Sequence, residues 1–257
     1  MNRLDQLFQE KQSKILAVYF TAGFPQLNDT RSILKALQNG GADIIEIGMP
    51  FSDPLADGEV IQQSSAVALR NGMTIERLFN QLEGVREEIH VPLVLMGYLN
   101  PVLQYGLTAF LEACVKCGID GLILPDLPVE AYEAEYKAEF ESFGIYPIFL
   151  VTPKTPAERI KQIATNSKGF LYVVSSATTT GATGQFSDVQ KTALANIAAL
   201  QLDVPLMAGF GIHDNQTFLD ATAHARGGIV GSAFIKMLQK EPSIEQAVQK
   251  LMEALNR

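Results

Sequence analysis

Two hydrophobic periods alternate along this chain. Short, nearly continuous apolar runs rich in β-branched residues give way to longer stretches in which apolar residues recur every three to four positions. The first kind reads as strands covered on both faces, the second as amphipathic helices packed on one face. After a short helix around Asp5–Gln12, the predicted strands are Leu16–Thr21, Asp43–Gly48, Leu93–Gly97, Gly121–Pro125, Ile145–Val151, Gly169–Ser175, Pro205–Gly209 and Gly227–Gly231. Between and after them the pattern predicts helices such as Asp29–Gln38, Ile75–Glu88, Leu107–Lys116, Tyr132–Phe143, Pro156–Thr165, Val189–Leu200, Asn215–Ala223 and Ser243–Leu255. Eight strands, each followed by a helix, in 257 residues is the count of a (β/α)8 barrel, a TIM barrel with one extra N-terminal helix. No linker, repeat or low-complexity segment divides the chain, so residues 1–257 are expected to form one catalytic domain.

Composition narrows the class. Acidic residues outnumber basic ones 28 to 20, with no Lys/Arg-rich run, which excludes an electrostatic footprint for nucleic acid or an anionic membrane. The start, Met1-Asn2-Arg3, carries no apolar signal-peptide core, and no apolar run reaches the roughly 20 residues that span a bilayer. The two cysteines, Cys114 and Cys117, fall late in a helical run, where thiols pack as small hydrophobes; a redox CxxC would open a helix after a strand. A reducing cytoplasm is the expected compartment. The three histidines, His90, His213 and His224, share no ligand spacing, so no metal is expected.

In a barrel the chemistry sits at the C-terminal ends of the strands. Glu46 interrupts the apolar second strand, Ile44-Ile45-Glu46-Ile47-Gly48. A carboxylate there either pairs with a buried Lys or Arg or carries a raised pKa suited to proton transfer, and position alone leaves both open. The loop that follows holds Asp53 and Asp57 between Pro50, Pro54 and Gly58, a second carboxylate source on a stiffened loop or plain solvated charge. Asp126, ending the fourth strand, is either a further candidate or a cap for the segment after it. Lys154 after the fifth strand is a Schiff-base candidate or a solvated loop lysine. On the opposite rim, Gly181-Ala182-Thr183-Gly184, Gly209-Phe210-Gly211 and Gly231-Ser232 follow strands six, seven and eight. Glycines in these successive loops let backbone amides close on an anion, which points to a phosphorylated substrate.

The segment Glu46-Ile47-Gly48-Met49-Pro50-Phe51-Ser52-Asp53-Pro54-Leu55-Ala56-Asp57-Gly58 closely resembles the signature of the tryptophan synthase alpha chain family. The likeness continues through Phe20-Thr21-Ala22-Gly23, Pro125-Asp126-Leu127-Pro128, Ala208-Gly209-Phe210-Gly211-Ile212 and Gly231-Ser232-Ala233. The resemblance implies a lyase of tryptophan biosynthesis that splits indole-3-glycerol phosphate into indole and glyceraldehyde 3-phosphate. The indole passes to a beta chain, within a cytoplasmic alpha2beta2 heterotetramer in which only the beta chain carries pyridoxal phosphate. It implies Glu46 as the acid–base carboxylate and Asp57 as the carboxylate that meets the indole N–H. Tyr172 matches a site tyrosine, and Thr21, Tyr19, Tyr98, Ile123 and Phe149 are expected around the indole. Gly181, Gly209, Gly211, Gly231 and Ser232 are expected at the phosphate. The loops Ser52–Gly58 and Ser176–Phe186 match the family's closing loops. This chain departs from many members at Glu59, where proline is common, and at Ser176 and Thr178, where Arg and Gly are common. The competing reading is another phosphate-binding barrel, an isomerase or a Schiff-base aldolase working through Lys154.

Overall fold

The computed structural model describes residues 1–174, 188–209 and 211–257. Among them, nine parallel strands form one sheet: β1 (Ile15–Thr21), β2 (Ile44–Gly48), β3 (Leu93–Met96), β4 (Gly121–Ile123), β5 (Tyr146–Ile148), β6 (Leu150–Val151), β7 (Leu171–Val174), β8 (Leu206–Gly209) and β9 (Gly227–Val230). Their order is β5-β4-β3-β2-β1-β9-β8-β7-β6, so β1 pairs with β2 on one side and β9 on the other. The two ends of that order are separated in the chain by Phe149 alone, and the sheet therefore runs round a barrel.

The expected single strand Ile145–Val151 is thus two pieces. The Phe149 N–H donates to Ser167 Oγ at 3.1 Å instead of joining the ladder, and Ser167 Oγ donates in turn to the Phe170 carbonyl at 2.7 Å. A side chain has replaced a ladder partner at one residue, and the strand bends there. Two predicted helices also differ. Ile75–Glu88 is a helix over Ile75–Leu82 followed, after Gly84, by a single 3-10 turn, Val85–Glu87. Tyr132–Phe143 begins earlier, at Val129, and widens into a π turn over Tyr132–Tyr136. Three helices that periodicity did not single out, Glu59–Arg70, Leu99–Tyr105 and Ser232–Lys240, each start at the barrel mouth.

Alternation along the strands divides two apolar layers. Ile15, Ala17, Ile44, Val94, Ile123, Ile148, Met207 and Ile229 fill the barrel interior, whereas Leu16, Val18, Phe20, Ile45, Ile47 and Leu95 pack against the helices. Leu4 and Phe8 from the first helix, Arg3–Glu10, join the interior set and close the end of the barrel where the strands begin. That helix is held by polar contacts. Asn2 caps it, accepting from the Leu4 N–H at 2.9 Å, and donates to the Asp120 carbonyl at 2.8 Å. The nearly inaccessible Asp120 carboxylate accepts from Arg3 at 3.0 Å, Arg86 at 2.5 Å and the Leu93 N–H at 2.9 Å. Arg86 spends its remaining donors on the carbonyls of Gly118, Ile89 and Val91. No described helix is long and apolar enough to cross a membrane.

Removing the Asp120 charge leaves the Arg86 guanidinium buried without its counter-ion, the costly way to break such a pair. Asp120→Ala is expected to lower the free energy of unfolding by about 3 kcal/mol, read from the urea midpoint at constant m-value.

Candidate active site

The mouth of the barrel is assembled from strand ends and the loops they launch. On β2, Ile44, Glu46 and Gly48 share the inward face, so the alternation that buries Ile44 also buries Glu46. Glu46 has 0% exposure, and neither of its carboxylate oxygens has a hydrogen-bond partner. The paired reading of this residue is excluded among the described residues: no Lys or Arg reaches it. Burial alone pushes its carboxyl from an ordinary 4.5 up to about 8. At neutral pH Glu46 is therefore a carboxylic acid.

Asp57 comes from the loop after β2 and is fixed from β3. The Tyr98 hydroxyl, just past β3, donates to Asp57 Oδ2 at 3.0 Å and accepts from the Ala56 N–H at 3.0 Å. The Tyr98 ring lies 5.3 Å from that of Phe51, and Gln62 holds the Asp57 carbonyl at 2.8 Å. Burial raises the Asp57 carboxyl from 3.8 to about 6 while the Tyr98 hydrogen bond acts the other way. Two carboxyls in one mouth thus carry different protonation states near neutrality. Asp53, by contrast, is an exposed loop residue whose partner is the neighbouring Ser52 hydroxyl.

Two tyrosines lie across the floor of the mouth, and two glycines make room for them. A Cβ at Gly48 would sit 2.0 Å from the Tyr19 hydroxyl, and one at Gly209 would sit 2.5 Å from the Tyr172 ring and hydroxyl. Burial and then the charges of Glu46, Asp57 and Tyr19 hold the Tyr172 phenol well above its ordinary value. Gly209 therefore serves the packing of Tyr172, a reason for glycine that the sequence pattern did not suggest. Gly211 adopts a φ of +64° facing open space, and Gly231 leads into Ser232, the first residue of the Ser232–Lys240 helix, whose first turn receives no side-chain cap from Gly231.

The profile of the family described as tryptophan synthase alpha chain matches residues 5–257. The tryptophan synthase alpha chain of Flavobacterium johnsoniae is 54% identical over 95% of this chain and 96% of its own length. That of Parabacteroides distasonis is 49% identical over 100% of both. Among solved structures, the tryptophan synthase alpha subunit of Legionella pneumophila str. Paris superposes with a TM-score of 0.89 at 34% identity, covering 99% of this chain and 97% of its own. A chain of M. tuberculosis tryptophan synthase in an aminoacrylate-bound form gives 0.86 at 30% identity, with 100% of each covered. The chain belongs to the tryptophan synthase alpha chain family. It is a lyase subunit of tryptophan biosynthesis that cleaves indole-3-glycerol phosphate to indole and glyceraldehyde 3-phosphate and works with a beta chain, to which the indole passes.

Within this alpha chain the expected residues are not all brought together. Glu46, Asp57, Tyr19, Thr21, Tyr98 and Tyr172 converge at the mouth, and Ile123 is part of the barrel interior. Phe149 is not at the mouth. Its ring packs edge-on against Tyr132 at 5.3 Å in the layer between barrel and helices, because Ile148 and Leu150 take the inward positions on either side of it. Asp126 acts as a cap, but for the helix begun before it: both of its oxygens accept from the Leu99 N–H. Lys154 is an exposed loop lysine, and Cys114 and Cys117 are free, buried thiols. Among the described residues no cluster of His, Cys, Asp or Glu could hold a metal. Gly181, Ser176, Thr178 and the rest of the Ser176–Phe186 loop lie outside the described residues. Glu59, the departure from the family's proline, is the first residue of the Glu59–Arg70 helix. Proline suits that position because its missing N–H is not needed there; an acidic side chain suits it because it faces the positive end of the helix. Sequence reasoning missed Ser64, which is 1% exposed and hydrogen-bonded to Thr21 at 2.7 Å; the missed Glu59–Arg70 helix is what carries it.

The neutral Glu46 has a thermodynamic signature. Its folded pKa is raised, so the native state holds a proton that the unfolded chain loses above its own ordinary 4.5, and stability drains as pH rises through about 8. Glu46→Gln removes that drain. Its unfolding free energy relative to the unmodified protein is expected to climb from no gain at about pH 4 to a gain on the order of 4 kcal/mol at about pH 8. Urea titrations at several pH values that showed a flat difference would mean the carboxyl is not buried as its neutral acid.

Proposed function

We propose that Glu46 is the acid–base group of the cleavage and Asp57 the anion that faces the indole ring nitrogen. The observation that carries this is the pairing, in one barrel mouth, of an unpartnered buried acid with a tethered carboxylate of lower pKa. Protonated Glu46 gives its proton to indole C3. The ring becomes an indoleninium cation, stabilised by ionised Asp57 at its N–H. Glu46, now a carboxylate, takes the proton of the hydroxyl on the adjoining glycerol carbon. The carbonyl of glyceraldehyde 3-phosphate forms as the bond from that carbon to C3 breaks, and the bonding pair returns to the ring and restores indole. Atoms and charge balance with Glu46 back as the acid. The protonated ring is itself the electron sink, so the step needs no pyridoxal phosphate on this chain; that cofactor belongs to the beta chain.

Gly211, Gly231 and Ser232, with Gly209 and Gly181, are assigned to the phosphate, which their backbone amides and the Ser232–Lys240 helix start suit. Tyr172, Thr21, Tyr19, Tyr98 and Ile123 are assigned to the indole-glycerol body. Residues 1–257 act as one catalytic domain, in the cytoplasm, in an alpha2beta2 assembly. The Ser52–Gly58 loop, where Leu55 is 94% exposed, is assigned to the beta-chain contact; Ser176–Phe186 shares that assignment through the family resemblance alone.

These roles set the pH profile. Activity requires Asp57 ionised, above about 6, and Glu46 protonated, below about 8. Indole release is expected to give a bell-shaped kcat/KM with limbs near those values. Glu46→Gln should lower kcat by roughly 10²–10⁴-fold, with or without a beta chain present, and Asp57→Asn should remove the acidic limb. Full activity in Glu46→Gln would overturn the acid–base assignment. Absence of indole release from the unmodified chain, coupled with borohydride trapping at Lys154, would move the protein to the aldolase reading.

A further inference from the structure

Three hydroxyls run in a chain from the mouth into the barrel wall. Tyr19 Oη lies 3.4 Å from Thr21 Oγ1, Thr21 Oγ1 lies 2.7 Å from Ser64 Oγ, and Ser64 Oγ donates to the Ile61 carbonyl at 2.8 Å. The direction of every proton follows from the last link. A carbonyl only accepts, so the single Ser64 proton is spent on Ile61. Ser64 must then accept from Thr21, which commits the single Thr21 proton. Thr21 is left able only to accept from Tyr19. Thr21 and Ser64 are almost fully buried, 0% and 1% exposed, so water does not compete for these protons. The phenol proton of Tyr19 therefore points into the wall, and its oxygen turns lone pairs toward the mouth.

The position of that oxygen identifies what it meets. Tyr19 stands on β1, between β9 and β2. Its Cβ side lies against Gly231, 3.6 Å from where a side chain there would begin, and its hydroxyl reaches over Gly48, two residues beyond Glu46. If phosphate sits at Gly231 and Ser232, and the indole between Glu46 and Asp57, the three-carbon chain joining them crosses Tyr19. We propose that Tyr19 is a specificity-determining residue of this lyase. Its hydroxyl, polarised by Thr21 and Ser64, is a fixed acceptor for a hydroxyl of the substrate's glycerol chain. The inference rests on the phosphate and indole placements given above. A phenol whose proton is spent on a dead-end carbonyl relay cannot take the substrate proton onward, so Tyr19 selects and positions the polyol without acting as the base.

The test compares two ligands on one background. In the Glu46→Gln protein, whose turnover is slowed roughly 10²–10⁴-fold, the Kd of indole-3-glycerol phosphate and of its analogue without glycerol hydroxyls, indole-3-propanol phosphate, is measured by calorimetry. Adding Tyr19→Phe keeps the ring and removes only the acceptor. It is expected to weaken the glycerol compound by about three- to tenfold, the worth of one hydrogen bond, and to leave the propanol compound within about twofold. Adding Thr21→Val instead frees the Tyr19 proton to turn toward the mouth, and should weaken the glycerol compound alone, by less. Equal weakening of both ligands by Tyr19→Phe would overturn the inference, since the oxygen would then serve the ring or the packing, and so would no weakening of either. If the unmodified chain fails to cleave indole-3-glycerol phosphate, the site reading itself falls; if it cleaves but Tyr19→Phe discriminates neither ligand, only the polyol role falls.

Discussion

Everything at the mouth depends on one unfavourable placement, a carboxyl buried in an apolar strand with nothing to bond to. A fold driven only toward stability would put Val or Ile at position 46, as it does at 45 and 47. The carboxyl survives there because the alternative, an ionised Glu46, is disfavoured still more, so the group holds its proton. That is the state in which it can act as an acid at neutral pH. Its reactivity and its cost come from the same desolvation, a trade seen wherever function opposes stability.

The counterweight lies at the other end of the barrel. There the buried Asp120 is met by Arg3, Arg86 and a backbone N–H, and Arg86 is spread over carbonyls from three further positions. The two ends are opposites in electrostatic design. At the closed end an acid is surrounded by donors and ties three segments of chain together. At the mouth an acid is denied donors and left available. The strands between them are apolar on both faces, so the fully satisfied end stabilises the scaffold without bringing a cation near Glu46.

The pattern of apolar residues foretold the barrel because parallel strands and their covering helices leave strong, separable periods. Strand ends at β1, β2 and β9 fall within a residue of expectation. What was lost was lost for specific reasons. Helices starting at the mouth, such as Glu59–Arg70, follow loops rich in glycine and proline that mask their first turn. The break at Phe149 is made by Ser167, a side chain 18 residues away that no local window contains. Phe149 was misplaced as a result of reading an aromatic at a strand end without fixing which face it takes; the inward face belongs to Ile148 and Leu150. The signature around Glu46 and Asp57 singled out two carboxyls that the structure places in one mouth. It could not show that Tyr98 tethers Asp57, or that Gly48 and Gly209 are glycines because tyrosines lie over them.

The first helix gives the barrel a direction of traffic. Leu4 and Phe8 occupy the end where the strands begin, and Ile15, Phe170, Met207 and Ile229 are packed above them. Among the described residues that end of the barrel is filled, so the mouth, where the loop that carries Asp57 lies, is the side open to a molecule of indole. A beta chain that seats itself over that opening need not recognise indole in competition with solvent. By filling one end of the barrel, the first helix makes the rim the side on which a partner would take over what the chain releases.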